Sequence, residues 1–216
     1  MMSEQTQHPT EKIYNDPISV AQRTRQRVHF AAPSDKTAML LHIVQNSDQL
    51  HAVVVTKTKR VADTLAAHLN QKEVHAASAH GSKRAQDNDA AAKAFNAGEL
   101  SVIITTDMVL PSLSLSDITH LISYDLPTEP EHYLNRMGCL NEVGEAVALV
   151  SEEQEVALLD IERVMRQQIS EEKLEGFEPA PFSADEMLPK SRDKKKKPRH
   201  RKKRSKKSDE TEPTEQ

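Results

Sequence analysis

The sequence is poor in residues on which several classes of protein depend. Its 216 residues include one cysteine, Cys139, and no tryptophan. A single thiol forms neither an internal disulfide nor a zinc site of the paired CxxC type, which excludes dithiol redox and zinc-finger functions. No apolar run approaches the length of about 18 residues that a membrane-spanning helix needs, and the polar N-terminus lacks the apolar core of a secretory signal. We therefore expect a soluble, cytoplasmic protein.

Glycine is also scarce, which limits nucleotide chemistry. The five glycines are Gly81, Gly98, Gly138, Gly144 and Gly176, and neither a GxxxxGKS/T nor a GxGxxG stretch occurs. Without a glycine-rich loop, no main-chain cradle for a nucleotide phosphate can form in the P-loop manner. The ten histidines show no HExxH or comparable metal-ligand spacing. We expect no metal, no cofactor and no binding or hydrolysis of ATP by this sequence.

Charge is divided sharply along the chain. Residues 190–207 hold 13 of the 29 Lys and Arg residues and one acid, Asp193. The preceding 189 residues hold 16 Lys and Arg against 28 Asp and Glu, and the last nine residues add four acids and no Lys or Arg. The chain therefore has two regions of opposite charge, an acidic body (residues 1–189) and a basic tail (residues 190–207).

Apolar runs alternate with helix-period segments from about residue 26 to residue 169. Continuous β-branched runs such as Ala52–Val55 indicate strands that are buried on both faces. The alternation predicts an α/β domain with a mostly parallel sheet between two helical layers. We assign residues 1–17 to a flexible N-terminus, 18–169 to the domain, 170–189 to a linker, and 190–216 to a disordered tail that is first basic and then acidic.

Several stretches of the domain form a characteristic series. They are VVVTKTKRVADTLAAHL (53–69), AHG (79–81), FNAGE (95–99), ITTD (104–107), ISYDLPTEPEHYLNRMG (122–138) and GEAVALVSEEQEVALLDIE (144–162). In order and spacing the series resembles the second, C-terminal RecA-like domain of bacterial DEAD-box RNA helicases over about residues 20–170. The resemblance implies a three-layer RecA-like fold and a role in bacterial RNA metabolism or ribosome assembly. It also implies RNA as a partner, with ribosomal RNA as one candidate.

The departures from the family pattern concern the nucleotide. Where the family has ATDxxxRGxD, Pro111, Ser112 and Ser114 replace the arginine, the glycine and the last aspartate. Where it has HRxGRxxR, Cys139 and Glu142 replace the two later arginines, which reach the γ-phosphate. Loss of one arginine finger lowers the rate of phosphoryl transfer by about 10³, and we see no room for the family's first RecA-like domain. The resemblance therefore implies a stand-alone, degenerate domain, a pseudoenzyme without ATPase or unwinding activity.

A few residues that face RNA in the family persist. The resemblance implies RNA contacts for Thr58, Lys59, Gly81 and Thr106, with Arg136 as a further candidate. Hydroxyl and main-chain N–H groups at such positions can bind phosphate. Three of them have a simpler interpretation: Thr106 as part of a turn, Lys59 as solvated surface, and Arg136 as an ion-pair partner inside the domain.

The basic tail is the strongest candidate for nucleic-acid binding. Its cations release condensed counterions on meeting a polyanion, so we expect binding that depends steeply on salt. No aromatic residue lies in 190–207 to stack on bases, so the contacts would be with phosphates. The alternative is a tail that only solubilises the protein. The predicted contacts are Lys194, Lys195, Lys196, Lys197, Arg199, Arg201, Lys202, Lys203, Arg204, Lys206 and Lys207.

Two other functions stay open at this point. In one, the domain is a protein-interaction module that docks on a complete RNA helicase or an RNA-processing complex. In the other, it is a subunit of an ATP-dependent RNA helicase that works with a separate first domain. The second requires the arginines that positions 139 and 142 lack.

Overall fold

Strands and helices alternate along the chain, as the hydrophobic pattern predicts. The computed structural model describes residues 16–47, 49–140 and 144–178. The predictions for the tail, for most of the N-terminal segment and for the second half of the linker lie outside these residues. The strands are β1 (Arg25–Phe30), β2 (Ala52–Val55), β3 (Ala76–Ala79), β4 (Val102–Thr105), β5 (His120–Ser123), β6 (Glu145–Val150) and β7 (Ser170–Glu171).

Helices connect these strands and lie on both sides of the sheet. They are α1 (Pro17–Arg23), α2 (Lys36–Asn46), α3 (Lys59–Gln71), α4 (Ala85–Asn96), α5 (Pro130–Met137) and α6 (Glu155–Met165), with short 3-10 turns at Leu110–Ser112 and Glu152–Gln154. Within the described ranges, no helix is long and apolar enough to cross a membrane.

The strands form one sheet in the order β3-β4-β2-β5-β6-β1-β7, and each neighbouring pair is parallel. Alternate residues of β2 point to opposite faces: Val53 and Val55 pack into one apolar cluster, and Ala52 and Val54 into the other. Helices α1, α4, α5 and α6 cover the first cluster, and α2 and α3 cover the second. The predicted three-layer α/β fold is confirmed.

The edge strand β3 is protected by side chains. The amide of Asn70, in α3, donates from Nδ2 to the Ala76 carbonyl at 2.7 Å and accepts from the Ala76 N–H at 3.3 Å. The ammonium of Lys83 donates to the Ser78 carbonyl at 2.6 Å. These bonds occupy main-chain groups that an exposed edge would otherwise offer to another strand.

The domain continues past its predicted boundary at residue 169. Ser170–Glu171 forms strand β7, which pairs with β1 at the sheet edge. Beyond it, Leu174 and Phe177 pack against the apolar cluster of α2 and α3, and the Phe177 ring meets the His42 ring edge-on at 5.8 Å. A strand of two residues has no periodicity that a sequence pattern could reveal.

Candidate nucleic-acid interface

A groove runs across the carboxyl ends of four neighbouring strands. In parallel sheets these ends meet at one edge, where α/β domains bind their ligands. Here the loops after β3, β4, β2 and β5 enclose a groove of about 820 Å³. Four predicted RNA contacts line it: Thr58, Lys59, Gly81 and Thr106.

The loop after β2 leads directly into helix α3. Thr58 is the N-cap residue, and its Oγ1 accepts from the Val61 N–H at 3.2 Å. The Lys57 N–H donates to Asp125 Oδ2 at 3.0 Å, which fixes the loop to the loop after β5. Lys57 and Lys59 are exposed. Two cations therefore lie beside the positive end of a helix dipole, an arrangement that favours an anion.

The loop after β3 brings Gly81 to the groove surface. Its φ lies outside the left-handed region, and a Cβ built on it would meet no atom within 4 Å. Neither backbone conformation nor packing among the described residues therefore requires glycine here. The neighbouring Ser82 accepts a hydrogen bond from the Lys59 ammonium through its Oγ, so this loop is tied to the loop after β2.

Thr106 begins the turn that follows β4. Its carbonyl accepts from the N–H groups of Val109 and Leu110, each at 3.0 Å. The turn interpretation of this residue is therefore correct for its main chain. Because Thr106 also lines the groove, the turn holds it on the same surface as Thr58 and Gly81.

Arg136 does not belong to this surface. The residue is 1% exposed, and its guanidinium forms two bonds to the Asp107 carboxylate, Nε to Oδ1 at 2.6 Å and Nη2 to Oδ2 at 2.7 Å. Nη1 donates to Ser123 Oγ at 2.8 Å and to the Asp125 carbonyl at 2.9 Å. This is the ion-pair role that the sequence left as the alternative, and it joins α5 to the loops after β4 and β5.

Sequence reasoning did not select the far wall of the groove. Pro127, Thr128, Glu129 and His132 form it, and His132 Nε2 lies 3.3 Å from Glu129 Oε2. These residues follow strand β5. The rule that parallel strands end at a common edge could have found them.

A second pocket adjoins the groove on the side where the family's nucleotide motifs align. Most of its lining is apolar, from Met108, Leu110, Pro111, Leu113 and Leu115. Arg136 is the one arginine or lysine among the described residues that line it, and its donors already serve Asp107, Ser123 and Asp125. Glu142 lies outside the described residues.

Cys139 lies at the rim of this second pocket. Its thiol donates to the Arg136 carbonyl at 2.6 Å. Burial raises the pKa of the Cys139 thiol to about 11. A thiol in this state is a poor nucleophile at neutral pH.

Comparison with known proteins agrees with this geometry. Residues 35–139 match the family described as the helicase conserved C-terminal domain. The ATP-dependent RNA helicase RhlB of Xanthomonas oryzae is 26% identical over 186 residues, which cover 84% of this chain and 32% of RhlB. Residues 35–139 carry the helicase conserved C-terminal domain, and the chain is similar to the C-terminal RecA-like domain of DEAD-box helicases. The predicted family resemblance is confirmed, and the chain spans about a third of the length of the curated relatives that it matches.

Solved structures show the same RecA-like fold. A DEAD-box protein from Methanococcus jannaschii superposes with a TM-score of 0.67 at 24% identity, covering 71% of this chain and 43% of that one. The E. coli DEAD-box protein SrmB, in a crystal structure with the regulator RraA, gives a TM-score of 0.67 at 20% identity and covers 74% of this chain and 96% of that one. At these identities, the likeness establishes the fold.

Proposed function

We propose that this RecA-like domain binds RNA, through the groove and the basic tail, without hydrolysing ATP or unwinding a duplex. The observation that carries the proposal is the contrast between two adjoining sites. The groove presents exposed Lys57 and Lys59 beside a helix N-terminus and the bare main chain of Gly81. In the neighbouring pocket, Arg136 already has its partners.

The groove suits a phosphate backbone better than it suits bases. Its candidate contacts are ammonium groups, hydroxyls and main-chain N–H groups, which bind phosphate without reading sequence. Among the described residues that line the groove there is no tryptophan, tyrosine or phenylalanine, so stacking on bases would contribute little. We therefore expect the groove to bind single-stranded RNA with little sequence preference.

The described residues on the nucleotide side do not suit a triphosphate. Pro111 and Cys139 offer no charge at two of the positions where the family has arginine. The Arg136 guanidinium would have to leave the carboxylate of Asp107 in order to reach a phosphate. Because even one missing arginine finger costs about 10³ in rate, we propose that no ATP is turned over.

The basic tail would supply most of the affinity. Thirteen Lys and Arg residues within 190–207 offer many phosphate contacts, and each contact to single-stranded nucleic acid adds about −0.7 to the slope of log K against log salt concentration. If the groove alone binds RNA weakly, such a tail would lengthen the time that the protein stays bound. Ribosomal RNA is one candidate ligand.

A neutral-tail variant tests how much of the RNA affinity comes from the tail and how much from the groove. In this full-length variant, glutamine replaces the eleven tail cations predicted to bind RNA. We expect a lower affinity for an eight-nucleotide uridine RNA and a flatter salt slope, with residual binding that depends on Lys57 and Lys59. ATP turnover is measured in the same samples. RNA-stimulated ATP hydrolysis above the buffer level would show that the domain retains a nucleotide site.

A protein ligand is the second candidate function, and one feature favours it. Met108 is 87% exposed and lies between the groove and the apolar pocket. Structures with a similar fold include SrmB bound to RraA and the Dbp5 C-terminal domain of S. cerevisiae bound to Gle1. If docking on a protein is the main role, the neutral-tail variant should bind RNA weakly at every salt concentration, and Lys59→Gln should change nothing further.

A further inference from the structure

The groove loop after β3 is supported from below by a carboxylate on the neighbouring helix. Asp63 lies in α3, and its Oδ1 accepts two hydrogen bonds, from Ser78 Oγ at 2.7 Å and from His80 Nε2 at 2.9 Å. Ser78 and His80 are 4% exposed, whereas more than half of the Asp63 side chain is exposed. Oδ1 of Asp63 therefore links helix α3 to the carboxyl end of the edge strand β3.

The partners of His80 define its tautomer. The Ser82 N–H donates to Nδ1 at 3.4 Å, so Nδ1 carries a lone pair. The ring proton is then on Nε2, which donates to Asp63. The imidazole thus connects the carboxylate of α3 to the main chain of the groove loop, and both of its nitrogen atoms are engaged.

A second set of bonds holds the main chain of His80 itself. The Asn88 side chain accepts from the His80 N–H at 3.1 Å and donates to the His80 carbonyl at 3.2 Å. Asn88 is buried. Its side-chain amide therefore holds the main chain of His80 from inside the domain.

These bonds divide the three loop amides into two groups. The N–H groups of His80 and Ser82 have acceptors inside the domain, in Asn88 and in the His80 ring. The N–H of Gly81, an exposed residue, forms no hydrogen bond with the described residues. The loop therefore keeps one amide available at the groove surface.

Asp63 is suited to hold this arrangement at neutral pH. The hydrogen bond from Ser78, aided by His80 and by the charge of Lys83, lowers the pKa of the Asp63 carboxyl. Lys83 also binds Ser78 Oγ at 2.7 Å and lies 4.0 Å from the carboxylate. The carboxylate, the imidazole and the ammonium form one connected network under the loop.

We infer that Asp63 is a positioning residue for RNA: through His80 it holds the loop so that the Gly81 N–H is presented to a phosphate. This inference rests on the proposed RNA-binding function of the groove. Asp63 itself would not touch RNA. Its effect would oppose simple electrostatics, because removing a carboxylate near an RNA site normally strengthens binding of the polyanion.

Two substitutions at one position separate these effects. Asp63→Ala removes the acceptor as well as the charge, whereas Asp63→Asn removes the charge and keeps an Oδ1 acceptor for Ser78 and His80. Positioning predicts weaker groove binding for the alanine variant and near-normal binding for the asparagine variant. Asp89→Ala, at an exposed position in α4 outside the groove lining, is the matched control for loss of one acid.

The experiment follows amide resonances of the full-length ¹⁵N-labelled protein during titration with an eight-nucleotide uridine RNA. For the wild type, D63N and D89A, we expect saturable shifts at Gly81 with similar midpoints. For D63A, the Gly81 midpoint should rise about tenfold, the effect expected from loss of one hydrogen bond to a charged group. Shifts of the tail lysines and arginines should be the same in all four proteins.

Each other outcome has a definite meaning. If tail resonances shift in the wild type but Gly81 does not, the RNA-binding role of the groove is wrong, and the inference about Asp63 ends with it. If Gly81 titrates equally in wild type and D63A, RNA binds the groove but Asp63 does not position the loop. If D63A does not fold, the tautomer of His80 in the wild type decides: a proton on Nδ1 would overturn the inference, because the Ser82 N–H could not then donate to it.

Discussion

Replacing Gly81 with alanine should separate RNA binding from stability. A Cβ at this position meets no atom within 4 Å, and the residue does not need a left-handed φ. The free energy of unfolding should therefore stay within about 0.5 kcal/mol of the wild type, or rise slightly because alanine restricts the unfolded chain. A phosphate that approaches the bare main chain would collide with the new methyl group. Loss of a hydrogen bond to a charged ligand costs about 1.5 kcal/mol, roughly tenfold in Kd.

The matched control is Gly98→Ala, just after α4. Gly98 has φ +76°, where alanine is strained, although a Cβ there also meets nothing within 4 Å. We expect this variant to lose about 1 kcal/mol of stability and to bind RNA normally. Both glycine variants are made in the neutral-tail protein, with Kd from fluorescence anisotropy of a labelled eight-nucleotide uridine RNA and stability from urea unfolding. If Gly81→Ala binds RNA within twofold of its parent, the reasoning that RNA approaches this main chain is refuted.

Three further predictions concern the support of the site and the domain boundary. Arg136→Met should destabilise the domain by about 3 kcal/mol, because it leaves the Asp107 carboxylate without its cation. In urea unfolding, adding Asp107→Asn should restore part of the lost stability. Full additivity of the two changes would contradict the pairing of Arg136 with Asp107. Phe177→Ala should cost about 1 to 2 kcal/mol, less than for a fully buried phenylalanine, and no measurable loss would mean that its contact with His42 does not stabilise the domain. The pKa of the Cys139 thiol is raised to about 11, so its thiolate fraction at pH 7.5 should be about a hundredth of that of an ordinary thiol. Alkylation of Cys139 by iodoacetamide should therefore be slow at pH 7.5 and accelerate towards pH 11. Rapid labelling at pH 7.5 would contradict the burial of this thiol.

Local sequence patterns predicted the framework of the domain. The continuous, mostly β-branched run Ala52–Val55 located β2, because a strand with helices on both sides is apolar along its whole length. The family resemblance, rather than the strand pattern, named Thr58, Gly81 and Thr106 as RNA contacts. The parallel sheet brings the ends of their strands to one edge, where the three residues line one groove. The charge of the tail can be read directly from the order of residues in the sequence.

The tertiary structure decided which polar residues support the site and which line it. Arg136 and Asp107 are 29 positions apart, and Asp63 and His80 are 17 apart, so neither pairing lies within the reach of helical or strand periodicity. Each pairing depends on which strands are neighbours, and the order of strands in a sheet follows from the packing of the whole chain and not from local propensity. For the same reason no local pattern marks Ser170–Glu171 as a strand: β7 has two residues, and its pairing with β1 defines it.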